Sequence, residues 1–66
     1  MELHLLGIRD VMRMTSLSKK LLYRLMQSDE FPRQVALSPR RVAWVQSEVE
    51  AWLAAKLETA RGRPQN

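Results

Sequence analysis

The residues that could do chemistry cluster on one short stretch, Ser18 to Ser28. Wound as a helix at about 100° per residue, Lys19, Lys20, Tyr23, Arg24 and Gln27 fall on one arc, and Leu21, Leu22, Leu25 and Met26 on the other. A charged arc is most often a solvated face. Solvated faces, however, mix both signs, because i, i+4 Glu–Lys pairs support the helix. This arc holds three cations, a phenol and an amide, with no carboxylate among them. Such a set of donors without counter-charges suits phosphate oxygens and the edges of bases. Tyr23 leaves two readings open, contact with nucleic acid or partial burial.

The basic residues beyond this arc follow the same bias. From Arg13 to Arg41 there are seven basic residues against Asp29 and Glu30 alone, whereas Val42 to Ala60 carries Lys56 against Glu48, Glu50 and Glu58. The formal charge of +4 for the 66 residues is therefore concentrated in the middle of the chain, where Arg33, Arg40 and Arg41 join the helical cluster.

Other chemistries lack their residues. Absence of cysteine removes thiol nucleophiles, thiolate zinc sites and disulfide frameworks together. His4 is the single histidine and has no carboxylate cluster near it in sequence, so it reads as a surface or strand residue. Ser16, Ser18 and Ser47 read as turn and cap residues, with no base arranged for them. No acid–base pair or phosphate-binding loop is present, and the expectation is a non-enzyme without cofactor or metal. The start, MELHLLGIRD, resembles neither a signal peptide nor a membrane span, which predicts a cytoplasmic, nucleoid-associated protein with no membrane contact.

The elements that must position the cluster can be read in order. Ile8, Val11 and Met12 have i, i+3, i+4 spacing, predicting a first helix from about Gly7 to Met14. Thr15–Ser18 interrupts it. Ser18 is a good N-cap, and Leu17 with Leu22 would staple the entry of a second helix running from Lys19 to about Ser28. Phe31-Pro32 ends that pattern. Val35 and Leu37, then Val42 and Trp44, alternate with less apolar neighbours around Ser38-Pro39-Arg40, which predicts a two-stranded hairpin. Neighbours in a strand point to opposite faces, so Arg40 is assigned to the turn and Arg41 to the strand. Ser47-Glu48-Val49-Glu50 has the form of a capping box with Ser47 as N-cap, starting a third helix at Glu48 that continues to about Ala60.

Val49, Trp52, Leu53 and Leu57 share a face of that helix, but Lys56 interrupts it, so the core is expected to stop near Leu53. Trp44 and Trp52 read as core residues, and Met12, Met14 and Met26 as fillers of or near the core. A chain this short buries only about 60% of the surface it exposes when unfolded, so that core is small. The expected organisation is one domain, 1–60, followed by a disordered basic tail, 61–66.

The fold class that follows is mainly α, three helices with a small β-hairpin wing: a winged helix-turn-helix. Ser18, Lys19, Lys20, Tyr23, Arg24 and Gln27 would face the major groove, and Arg40 and Arg41 the adjacent backbone or minor groove, with double-stranded DNA as partner. A rival reading has the basic face docking an acidic protein partner.

In Thr15-Ser16-Leu17-Ser18, Leu22-Tyr23-Arg24-Leu25-Met26, Phe31-Pro32, Arg40, Trp44 and Ser47-Glu48-Val49-Glu50-Ala51-Trp52-Leu53, the sequence resembles the AlpA family of phage-type regulators. These are related to excisionases and to the DNA-binding domain of MerR regulators. The resemblance covers about Leu5 to Leu57. It implies a winged helix-turn-helix and a bacterial role in transcription or excision of a prophage or integrative element. Binding by further copies on repeated sites is expected for so small a reader. The family commonly has glycine where this chain has Ser16, Asp29 and Ser38, and proline in place of Gln34. Asp29 tolerates the left-handed conformation of a helix end, less easily than glycine does.

Overall fold

Apolar residues at helical spacing produce the first two helices. In the computed structural model, which describes residues 3–62, the elements are β1 (Leu5–Leu6), α1 (Ile8–Thr15), α2 (Lys19–Gln27), β2 (Val35–Ser38), β3 (Arg41–Val45) and α3 (Gln46–Gly62). Gly7 stands outside α1 as its N-cap, and Ser16 caps its C-terminus in the left-handed region (φ 62, ψ 21), its amide donating to the Met12 carbonyl at 2.7 Å. Thr15 tightens the turn: its hydroxyl donates to the Val11 carbonyl at 2.8 Å and accepts from the Leu17 amide at 3.2 Å. Ser18 then caps α2 as expected, its Oγ accepting from the Leu21 amide at 3.1 Å.

The end of α2 is a Schellman motif. The Glu30 amide donates to the Leu25 carbonyl at 2.7 Å and the Asp29 amide to Met26 at 3.1 Å, with Asp29 at φ 59. Both positions where the resemblance sets glycine at a helix end, Ser16 and Asp29, are thus left-handed here, and among the described residues they are the only non-glycine residues with positive φ. An L-residue in that region costs roughly 1–2 kcal/mol. Glycine returns part of the gain through its freer unfolded chain, about 0.4–1 kcal/mol. Ser16→Gly should therefore raise the melting temperature by about 2–6 °C. A melt by circular dichroism that moves downward would show that the serine side chain stabilises the turn.

The chain reverses at Asp29, which brings Phe31 back into the core at 4% exposure. Around it Val11, Leu22, Met26, Trp44 and Val49 form one buried cluster contributed by all three helices and β3. Leu17 and Leu22 both belong to this packing, as the staple requires. Leu21 does not join it. The buried stripe of α2 is narrower than the apolar arc of its sequence.

The sheet has three strands, not two. β3 is central, antiparallel to β2 on one edge and to β1 on the other, where Leu5 pairs with Val45 and Leu6 with Trp44. In the wing, Ser38 opposite Arg41 leaves Pro39 and Arg40 as a two-residue loop. Two-residue hairpins normally need positive φ at the first loop position, which proline cannot adopt. The register instead slips between Ala36 and Ser38, leaving Leu37 as a bulge beside the turn. Ser38 consequently has no need of a left-handed conformation.

Two expectations about α3 need correction. The capping box on Ser47 does not form, because β3 runs into the helix without a loop and α3 starts at Gln46. The Gln46 amide is already engaged, donating to the His4 carbonyl at 2.8 Å as a continuation of the β1–β3 ladder. Glu50 accepts from the Gln46 side-chain amide at 2.8 Å rather than reaching back to Ser47. Trp52, expected in the core, is half-buried: its ring meets Phe31 edge-on at 4.8 Å, and its indole N–H donates to the Glu30 carbonyl at 2.8 Å. Lys56 lies over the Trp52 ring, 5.5 Å from its centre, and Leu57 is 51% exposed, so burial does end near Leu53. Of the tail expected at 61–66, Arg61 and Gly62 complete α3, and 63–66 lie outside the described residues.

Candidate nucleic-acid interface

With Leu22 and Met26 buried, the opposite face of α2 is the one turned to solvent. Lys19, Lys20, Arg24 and Gln27 are exposed there. Among the described residues none of Lys19, Lys20, Arg24, Arg40 and Arg41 is paired with a carboxylate. Lys19 and Lys20 also occupy the first turn of α2, where no acidic residue accompanies them. Cations at the positive end of the helix dipole are slightly destabilising in isolation, and the free amides beside them favour an anion. The local sequence therefore gives up some helix stability to hold positive charge at that end.

The candidate residues fall into three groups. Ser18, Lys20 and Arg24 line a shallow recess of about 260 Å³ with Leu21 on one flank of α2. The Ser18 oxygen spends one lone pair on capping, so it serves structure first. Tyr23, Gln27 and Arg33 line a larger cleft of about 490 Å³ on the other flank, together with Met26 and Gln34. Lys19, Arg40 and Arg41 lie in neither: Lys19 opens α2, Arg40 is in the wing turn and Arg41 is the first residue of β3, and all three are exposed.

For Tyr23 the structure shows the partial burial that was one of its two readings. It is half-buried, packs near the core and meets the Trp44 ring edge-on at 6.5 Å, yet still lines the cleft. Arg33 is less free than its neighbours. Its Nη2 donates to the Asp29 carboxylate at 2.9 Å, an i, i+4 pair in which both side chains are well exposed. Exposed pairs of this kind are worth about 0–1 kcal/mol, so the guanidinium is steadied without being sequestered. Gln34 stands out in the sequence only as a departure from the proline common in the family, with no site role assigned to it. A lone neutral amide carries no signal until the fold sets it across from α2.

His4 is exposed, and its carbonyl serves the sheet. No group of three His, Cys, Asp or Glu residues that could hold a metal comes together among the described residues. No helix among them is long and apolar enough to cross a membrane.

The sequence pattern of the family described as prophage CP4-57 regulatory protein (AlpA) matches residues 4–57. The chain belongs to the AlpA family. All nine candidate residues, and the helices and wing that carry them, lie inside the AlpA match. A curated relative, "Uncharacterized protein ORF88" of Enterobacteria phage P4, is 42% identical over 52 residues. That alignment takes in 79% of this chain and 59% of the relative, so the chain spans rather more than half of the relative's length. AlpA is by its description a family of regulatory proteins, and three helices with a small antiparallel sheet are consistent with the winged helix its resemblance implies.

Proposed function

We propose that this AlpA-family chain binds double-stranded DNA with sequence preference, as a transcriptional regulator or excision factor of a prophage or integrative element. The observation that carries this reading is the solvent face of α2, where Lys19, Lys20 and Arg24 stand without acidic partners among the described residues, on a helix anchored by its opposite face. A helix about 10–12 Å across fits a major groove ~12 Å wide. The wing, the β2–β3 hairpin with Pro39 and Arg40 at its tip, reaches the neighbouring backbone or minor groove. A single domain of this size reads few base pairs, so further copies on repeated sites belong to the same proposal. So does a cytoplasmic location on the nucleoid.

Titrating salt against a duplex selected by the chain from a random pool, and against random-sequence DNA, tests the reading. DNA binding predicts that log affinity falls steeply and linearly with log salt, by about 0.9 per phosphate contacted, with the selected duplex retained at the higher salt. If no salt-dependent binding to either duplex is found, while an acidic protein surface is bound, the basic face is a protein-docking surface instead.

Within this reading the wing anchors without specifying sequence. Arg40→Ala should weaken selected and random duplexes by similar factors and lower the salt slope by about 0.9, one phosphate's share. Loss of the selected duplex alone would mean that Arg40 reads the groove. Unchanged slope and affinity would remove the wing from binding.

A further inference from the structure

We propose that the cleft between α2 and the root of the wing is a phosphodiester seat, holding the one DNA strand that must pass between the helix and the wing. The inference rests on the DNA-binding reading and assigns a task within it. A helix in the major groove and a wing in the next minor groove are separated by a sugar–phosphate strand, and that strand has to cross the space between the two elements. The cleft lies in that space: Tyr23, Met26 and Gln27 of α2 form one wall, and Arg33 and Gln34, immediately before β2, form the other.

The wall chemistry fits a phosphate better than a base or a small molecule. Arg33 supplies the charge, and with one of its N–H groups on Asp29 it has further donors left for an anion. The amides of Gln27 and Gln34 and the Tyr23 hydroxyl are neutral donors, suited to the remaining oxygens of a phosphodiester. A volume of about 490 Å³ would also admit a small ligand, but such sites enclose most of what they bind. Here Gln27, Arg33 and Gln34 are all exposed, and only Met26 is buried. A strand lying across the opening needs no enclosure. On the opposite flank of α2 the recess of Ser18, Lys20, Leu21 and Arg24 faces where the other strand bordering the same groove would run. The helix is thus flanked by one receptacle on each side, as a rod between two rails requires.

Consequently Gln34 contacts backbone and not bases, and Tyr23 and Gln27 divide their reach between the strand and the groove. The test uses the full chain with Gln34→Ala and Arg33→Ala, each checked for an unchanged melt, on a selected duplex and on random-sequence DNA. Gln34→Ala should weaken both by about tenfold with an unaltered salt slope, since the lost donor is neutral. Arg33→Ala should weaken both and lower the slope by about 0.9. Replacing single phosphates of the selected duplex by uncharged methylphosphonates should then reveal one position that weakens the wild-type chain but has little further effect on Arg33→Ala, whose charge contact is already gone. A Gln34→Ala protein with wild-type affinity for both duplexes and a wild-type methylphosphonate profile overturns the seat while leaving DNA binding intact. So does a variant that loses only the selected duplex, because Gln34 would then be reading bases. Absence of salt-dependent binding by the wild-type chain overturns the DNA reading itself, and the seat with it.

Discussion

Trp44→Ala should strongly destabilise the chain or unfold it at 25 °C. Trp44 is the largest of the fully buried side chains, at 0% exposure on the central strand, and packs in the cluster with Val11, Leu22, Met26, Phe31 and Val49. Truncating a buried aromatic of this kind costs about 3–5 kcal/mol. A chain of this length has a total stability of roughly 3–10 kcal/mol, so the loss consumes much or all of it. One feature of the site works the other way. The indole Nε1 is buried without a hydrogen-bond partner among the described residues, an arrangement that costs about 1–3 kcal/mol. Trp44→Phe removes that burden while keeping most of the ring, and should melt within a few degrees of the wild type. Thermal melts by circular dichroism compare the three proteins. A Trp44→Ala chain that melts cooperatively near the wild-type temperature would mean that the core does not depend on β3.

The contrast between the two tryptophans marks how far the sequence could be read. Both lie on apolar stripes, and the stripe alone does not tell which end of a long helix the body covers. The body covers only the first turns of α3, so Trp52 sits at the boundary with its N–H on Glu30, and Leu57 stands clear. The start of α3 misled for a related reason. A capping box is a local signal, and here a long-range one overrode it, because the His4 carbonyl claims the Gln46 amide and fuses strand to helix. β1 was invisible for want of length, since Leu5–Leu6 shows no alternation and is a strand only because β3 offers it an edge.

What was legible rested on chemistry within a few residues. The Ser18 cap, the Leu17–Leu22 staple and the division of Arg40 from Arg41 are all short-range geometry, whereas the left-handed turn at Asp29 was implied by the family resemblance. The cleft was not legible, although three of its residues were named in advance. Tyr23 and Gln27 come to lie beside Arg33 and Gln34 only through the left-handed turn at Asp29 and the fixing of the wing against the core. A recess between two elements is a property of their packing, and no spacing rule writes it into either one.

Arg24→Ala should erase most of the preference for a selected duplex over random DNA, lowering the affinity ratio by about 5–150-fold. That range is the 1–3 kcal/mol of discrimination carried by a bidentate arginine–guanine contact, at 1.4 kcal/mol per tenfold. Arg24 is exposed and free of any carboxylate among the described residues, so its fork of donors is available. Its removal should not disturb the helix. Alanine and arginine are both strong helix formers, and what Arg24 contributes to the end of α2 is its backbone carbonyl, which accepts from Ser28 at 3.3 Å whatever the side chain. A loss of preference with an unchanged melt is therefore attributable to readout. Three outcomes separate cleanly when both duplexes are measured. A fall on the selected duplex alone makes Arg24 a reader of bases. An equal fall on both, with the salt slope reduced by about 0.9, makes it a phosphate contact on the flank shared with Lys20. Wild-type affinity for both would remove Arg24 from the interface, and base readout would then have to come from Lys19, Lys20 and Gln27, the other exposed residues of the same arc.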